Sequence, residues 1–144
     1  MKIKDDIRLE IRMPTVNQYN ALRRSVGWEE IDKYRTNLAL KNSILSVCAS
    51  TEDKIIGIGR VVGDGAMYFY IQDIIVCPNY QRQGIGSSIV EQIMSNVQSL
   101  TRKGSGTFIG LMADKGLANF YSKYGFEYQS DDVPFMNIWQ KVSQ

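Results

Sequence analysis

At 144 residues the chain has room for one domain with its own core, and 17 Lys plus Arg against 15 Asp plus Glu leave only +2, too weak a bias to mark a nucleic-acid surface. The absence of histidine removes the commonest general base and zinc ligand, and with it Ser-His-Asp and Cys-His nucleophile sites. A charged start, no apolar run of membrane-spanning length, and two cysteines in apolar stretches without metal-ligand spacing lead to the expectation of a soluble, cytoplasmic protein that uses no membrane, no nucleic acid and no metal.

Ile7–Met13 alternates apolar and polar side chains, the period of a half-buried strand, and Pro14 stops it. Thr15 caps a predicted helix over Val16–Val26, closed by Gly27, and a second helical stretch covers Glu29–Leu40. Ile44–Ala49 and Ile55–Val62 are rich in β-branched residues and flank the polar turn Ser50–Asp53, which predicts a hairpin. After the turn Gly63-Asp64-Gly65, Met67–Cys77 is a long aromatic and β-branched run that predicts the central strand. Ile85, Ile89, Ile93 and Val97 recur every four residues, as in a helix packed on a sheet. Thr107–Met112 predicts a buried strand, and Leu117, Phe120, Tyr121 and Tyr124 line one face of a short helix that Gly125 ends. Phe126–Tyr128 and Phe135–Trp139 complete the pattern as strands. This order implies an α/β fold: a central mixed sheet of six to seven strands with about four helices on its faces, in a single domain over residues 1–144.

The most informative feature is where the glycines sit. A strand ends at Pro78, the polar segment Asn79–Gln83 follows, and Gly84-Ile85-Gly86-Ser87 opens a helix. Free amides and partial positive charge at a helix N-terminus attract anions, and glycines let them approach the backbone. Two readings of the loop stand side by side: a phosphate site, with Arg82 adding charge at its rim, or merely a tight strand-to-helix turn. A Walker loop is excluded because no Gly-Lys-Ser/Thr triplet is present, and a dinucleotide fingerprint because a third glycine is missing.

Asp73–Gly86, with its Gln81-Arg82-Gln83-Gly84-Ile85-Gly86 core, resembles the signature of the GNAT acyltransferases, and Ala118–Phe126 resembles the segment carrying that family's Phe-Tyr pair and Gly-Phe turn. The resemblance implies a GNAT-like domain that takes acetyl-CoA as acyl donor. It implies that the backbone of Ile75 and Val76 pairs with the pantetheine arm, and that Gln81, Arg82, Gln83, Gly84, Ile85, Gly86 and Ser87 bind the pyrophosphate. It also implies that Tyr121 lies by the thioester sulfur, with Asn119 standing in for an asparagine that many relatives have where this chain has Asp114.

The implied reaction is acetyl transfer to a primary amine of a small molecule by direct attack on the thioester, in a protein for which the open sheet edges suggest a homodimer. Tyr121 is the candidate acid, although its apolar stripe equally suits a core aromatic. Asp73 is the candidate catalytic carboxylate, because a charge inside an apolar strand needs a reason. It could hold an ammonium, act as a base directly or through water, or pair with Arg60. A non-catalytic CoA sensor of the same fold is the rival reading. Arg23, Arg24, Trp28 and Tyr34 lie on the helices that cover the acceptor pocket in the family and are weaker candidates for acceptor selection.

Overall fold

The computed structural model describes residues 2–52 and 54–143, so Asp53 of the expected hairpin turn lies outside the described residues. The chain divides into two compact units, Met1–Met112 and Ala113–Gln144.

The larger unit runs β1 (Ile7–Ile11), α1 (Val16–Ser25), α2 (Lys33–Lys41), β2 (Leu45–Thr51), β3 (Lys54–Gly63), β4 (Tyr68–Val76), α3 (Ile85–Leu100) and β5 (Phe108–Leu111). Its sheet has the order β1-β2-β3-β4-β5. The first four strands are antiparallel neighbours, and β5 joins β4 in parallel after the crossover through α3.

Local signals explain most boundaries. Thr15 and Gln18 form a reciprocal capping box, with Gln18 N–H donating to Thr15 Oγ1 at 3.1 Å and Thr15 N–H donating to Gln18 Oε1 at 3.0 Å. The second helix begins at Lys33 rather than at the expected Glu29. Asn20 Nδ2 donates to the Ile31 carbonyl and Asn20 Oδ1 accepts the Ile31 N–H, which holds that backbone outside the helix, and Asp32 then caps α2 through Arg35 N–H.

Tyr19, Leu22 and Leu40 pack with Cys48, Ile55, Ile58 and Ile75 on one sheet face. On the other face α3 buries Ile85, Ile89, Val90, Ile93 and Val97, each contributing roughly 1.5–3 kcal/mol of apolar burial. Gly59 permits that approach: a Cβ there would clash with Ile89 and lie 2.6 Å from Ile93 Cδ1 and 2.9 Å from Ile74 Cδ1. Gly59→Val is therefore expected to destabilise the protein by about 1–3 kcal/mol through overpacking, read as a lower urea midpoint at unchanged m-value.

In the smaller unit α4 spans Ala118–Ser122, and Gly125 follows with φ 91°. The Phe120 ring meets Tyr121 and Tyr124 edge-on at 4.9 and 5.8 Å. Phe126–Tyr128 and Phe135–Trp139, expected as further strands, form none, so the sheet has five strands among the described residues rather than six to seven. Alternation gives a segment two faces, but a strand exists only where a neighbour supplies the ladder, and these segments pair with no described strand.

Candidate active site

Across β3 and β4, Arg60 is opposite Asp73 and Val61 is opposite Ile71, so Gln72 is the extra residue of a β-bulge. The parallel pairing with β5 ends at the same place, Ile71 opposite Leu111. Beyond the bulge β4 keeps only β3 as a partner among the described strands. Cys77 N–H donates to the Ile56 carbonyl at 2.8 Å. By alternation the backbone groups of Ile75 also point to β3, while those of Ile74 and Val76 point to the unpaired side. This corrects the expectation for Ile75, whose backbone is committed to the sheet and whose side chain is buried in the core. Val76 keeps an outward N–H, and its carbonyl accepts Gln81 Nε2 at 2.9 Å.

A single 3₁₀ turn, Pro78–Tyr80, leads from β4 into the loop. Arg82 and Gly84 both adopt left-handed backbone, with φ 60° and 83°, as in anion-binding concavities. The conformation is natural for Gly84 and costs Arg82 roughly 1–2 kcal/mol. No side chain caps α3. Ser88 N–H bonds back to the Gly84 carbonyl at 3.0 Å, and the earlier amides of Ile85, Gly86 and Ser87 have no intrahelical acceptor. Gln81 and Gln83 brace the loop from within, Gln83 Nε2 donating to the Asn79 carbonyl at 3.1 Å. Arg82 is exposed at the rim. An unpaired strand edge leading into an uncapped helix N-terminus suits a ligand with an amide-bearing arm and a pyrophosphate.

Asp73 is 1% exposed. Its Oδ2 accepts Arg60 Nε at 2.9 Å and the Tyr19 hydroxyl at 2.7 Å, while Oδ1 is buried with no hydrogen-bond partner among the described residues. The ion pair weighed as one role for Asp73 is thus made, and it leaves one oxygen uncommitted. Burial, with the negative charge of Asp73 and the hydrogen bond to it, raises the Tyr19 phenol above its ordinary range, against an opposing pull from Arg60 and Arg23. Arg60 Nη1 also reaches Ser43 Oγ at 3.1 Å. Tyr19 was not legible as a site residue: its only signal is a tyrosine, rather than a leucine, on the buried face of α1. Of the weaker candidates, Arg23 stacks on Tyr19 and Trp28, Arg24 pairs with Glu30, and Tyr34 is exposed.

In the smaller unit, Tyr121 is buried and its phenol is pushed up to about 12, chiefly by burial and then by the negative charge of Asp114. Asn119 is exposed on the same short helix. Below the unfolded value near 10 the neutral phenol costs folding nothing; between about 10 and 12 only the unfolded chain ionises, so stability falls as pH rises through that window. In a spectrophotometric alkaline titration, the phenol missing from Tyr121→Phe is expected to be one that ionises near 12; loss of a transition near 10 would contradict this burial.

Residues 42–128 match the family described as Acetyltransferase (GNAT) domain. A solved structure from methicillin-resistant Staphylococcus aureus, described as a "Probable Acetyltransferase", is 32% identical with a TM-score of 0.83, covering 93% of this chain and 99% of that one. GCN5-related N-acetyltransferase 2, chloroplastic, of Arabidopsis thaliana is 32% identical over 81% of this chain and 51% of its own length. Histone acetyltransferase TAP1 of Glycine max is 29% identical over 84% of this chain and 55% of its own length. The chain thus spans about half the length of these curated relatives.

Proposed function

This chain belongs to the GNAT acetyltransferase family, and from that premise we propose that it transfers an acetyl group from acetyl-CoA to the primary amine of a small molecule. The observation that carries the reading is the unpaired edge of β4 beyond Gln72, which leads through Arg82 and Gly84 into the uncapped start of α3.

Acetyl-CoA supplies the acetyl thioester. The outward groups of Ile74 and Val76 hold its amide-bearing arm as an added strand would, and the Val76 N–H is the donor available to polarise a carbonyl at that edge. The amides of Ile85, Gly86 and Ser87, with Arg82 at the rim, take the pyrophosphate. Asp73 Oδ1 receives an N–H of the acceptor. In this scheme the free amine attacks the thioester carbonyl, the C–S bond breaks as the C–N bond is completed, the proton lost by the nitrogen passes to water, and the departing thiolate is protonated from solvent.

The test is free-thiol release from acetyl-CoA against a panel of small amines, with lysine-bearing peptides as a second arm. Release with small amines is the expected result. Release with peptides alone would move the acceptor to protein lysines. Tight CoA binding without release in either arm would establish a sensor instead of an enzyme.

A further inference from the structure

The two edges of the sheet are chemically unlike. β1 carries Arg8 and Glu10, charges of the kind that keep sheet edges from pairing, and Arg8 Nη2 donates to the Glu52 carbonyl at 2.8 Å. β5, at the other edge, has no charged residue and no proline anywhere in Thr107–Met112. Phe108 N–H donates to the Met67 carbonyl at 2.9 Å. By alternation the backbone of Phe108 and Gly110 is committed to β4, whereas the N–H and carbonyl groups of Ile109 and Leu111 point away and meet no described strand.

Both faces beside this edge are open. On one, Phe108 is 55% and Met112 62% exposed. The Phe108 ring leans along the strand over Gly110, where a Cβ would lie 2.8 Å from Phe108 Cε1, and it meets the Tyr68 ring at 5.8 Å. On the other face a groove of about 460 Å³ runs between β5 and the C-terminal half of α3, with Met94, Val97, Thr101, Thr107 and Ile109 in its wall.

We propose that β5 pairs with β5 of a second copy of this chain, antiparallel about a twofold axis at Gly110, so that one sheet runs across both chains. The register is self-complementary. With Gly110 opposite Gly110, Ile109 of one copy faces Leu111 of the other, and each gives its outward N–H and carbonyl to its opposite. A slip of one residue would set outward groups against committed ones and lose these bonds. The same register puts Phe108 opposite Met112, where ring and thioether attract, and the bare backbone of the two Gly110 residues leaves room for both rings beside the axis. On the groove side, Leu111 of the other copy lies against Ile109. The edge is short, so the buried area falls near or below the roughly 1,200 Å² that marks the lower end of stable interfaces, and the dimer is expected to dissociate in the micromolar range.

The experiment is sedimentation velocity of the full chain from low to high micromolar concentration, for wild type, Phe108→Lys, Met112→Glu and the double variant, with circular dichroism to check folding. Both positions are more than half exposed, so each variant is expected to fold. Wild type is expected to show a monomer–dimer equilibrium. Each single variant is expected to weaken it by about tenfold, because the twofold applies every lost cross-strand pair twice. Positions 108 and 112 of one chain lie about 13 Å apart along the strand, so the introduced ammonium and carboxylate meet only across the axis. The double variant is therefore expected to recover dimerisation to within a few-fold of wild type and, unlike wild type, to lose it on addition of salt. A wild type that stays monomeric throughout would overturn the proposal, as would a dimer that all three variants leave unchanged. Single variants that dissociate the dimer without recovery in the double variant would overturn the register.

Discussion

Gly86→Glu is expected to abolish acetyl-CoA binding while leaving the fold as stable as before, or slightly more so. Gly86 is the second residue of α3, in the turn whose amides have no intrahelical acceptor and no capping side chain. A carboxylate there competes with the pyrophosphate for the same amides and repels it. The same change replaces glycine with a better helix former, worth up to about 1 kcal/mol, and puts a negative charge at the positive end of the helix dipole, worth roughly 0.3–1 kcal/mol. Stability and binding thus move in opposite directions, which separates a site effect from misfolding. Titration calorimetry is expected to show at least a hundredfold weaker acetyl-CoA binding, with a melting temperature at or above that of wild type. Undiminished binding would return the loop to a tight turn.

Asp73→Ala carries the largest expected loss of stability. It strands a guanidinium that is only 8% exposed, together with the Tyr19 hydroxyl. Leaving one partner of a buried pair uncompensated costs about 3–5 kcal/mol, which at roughly 2–4 °C per kcal/mol lowers the melting temperature by about 10 °C. Replacing both partners, as in Arg60→Met with Asp73→Leu, is expected to recover most of that loss, because two apolar side chains of similar volume need no pairing. Acetyl transfer is not expected to return with it. A double variant that regained activity would show that Asp73 contributes only to the fold.

Much of this was legible before the structure, for identifiable reasons. The Ile85, Ile89, Ile93 and Val97 stripe, the Thr15 cap and the glycine-bearing loop are local patterns, and each stands where the residues placed it. The start of α2 was misread because its determinant is a long-range contact: the Asn20 side chain occupies the backbone of Ile31, eleven residues away. The C-terminal apolar segments looked like strands because alternation is local, whereas pairing is not. The role of Ile75 was misjudged for a related reason. Which backbone groups of β4 face β3 is decided by the register, which the Cys77–Ile56 hydrogen bond reveals and composition does not. Asp73 stood out as a charge in an apolar run, yet the free Oδ1 and the part played by Tyr19 require two elements separated by more than fifty positions to meet.

The bulge at Gln72 also limits how this strand could diverge. One residue of phase is absorbed there, so the side chains before and after it keep their faces only because the count between Ile71 and Asp73 is what it is. Loss or gain of a single residue would turn one half of β4 over, presenting Asp73 and Ile75 to the α3 side or moving Phe69 and Ile71 out of their buried places. Length is therefore constrained in this stretch as tightly as the identity of its buried side chains. Gln72, exposed and unopposed, is the position of this stretch where a side chain changes without disturbing the sheet.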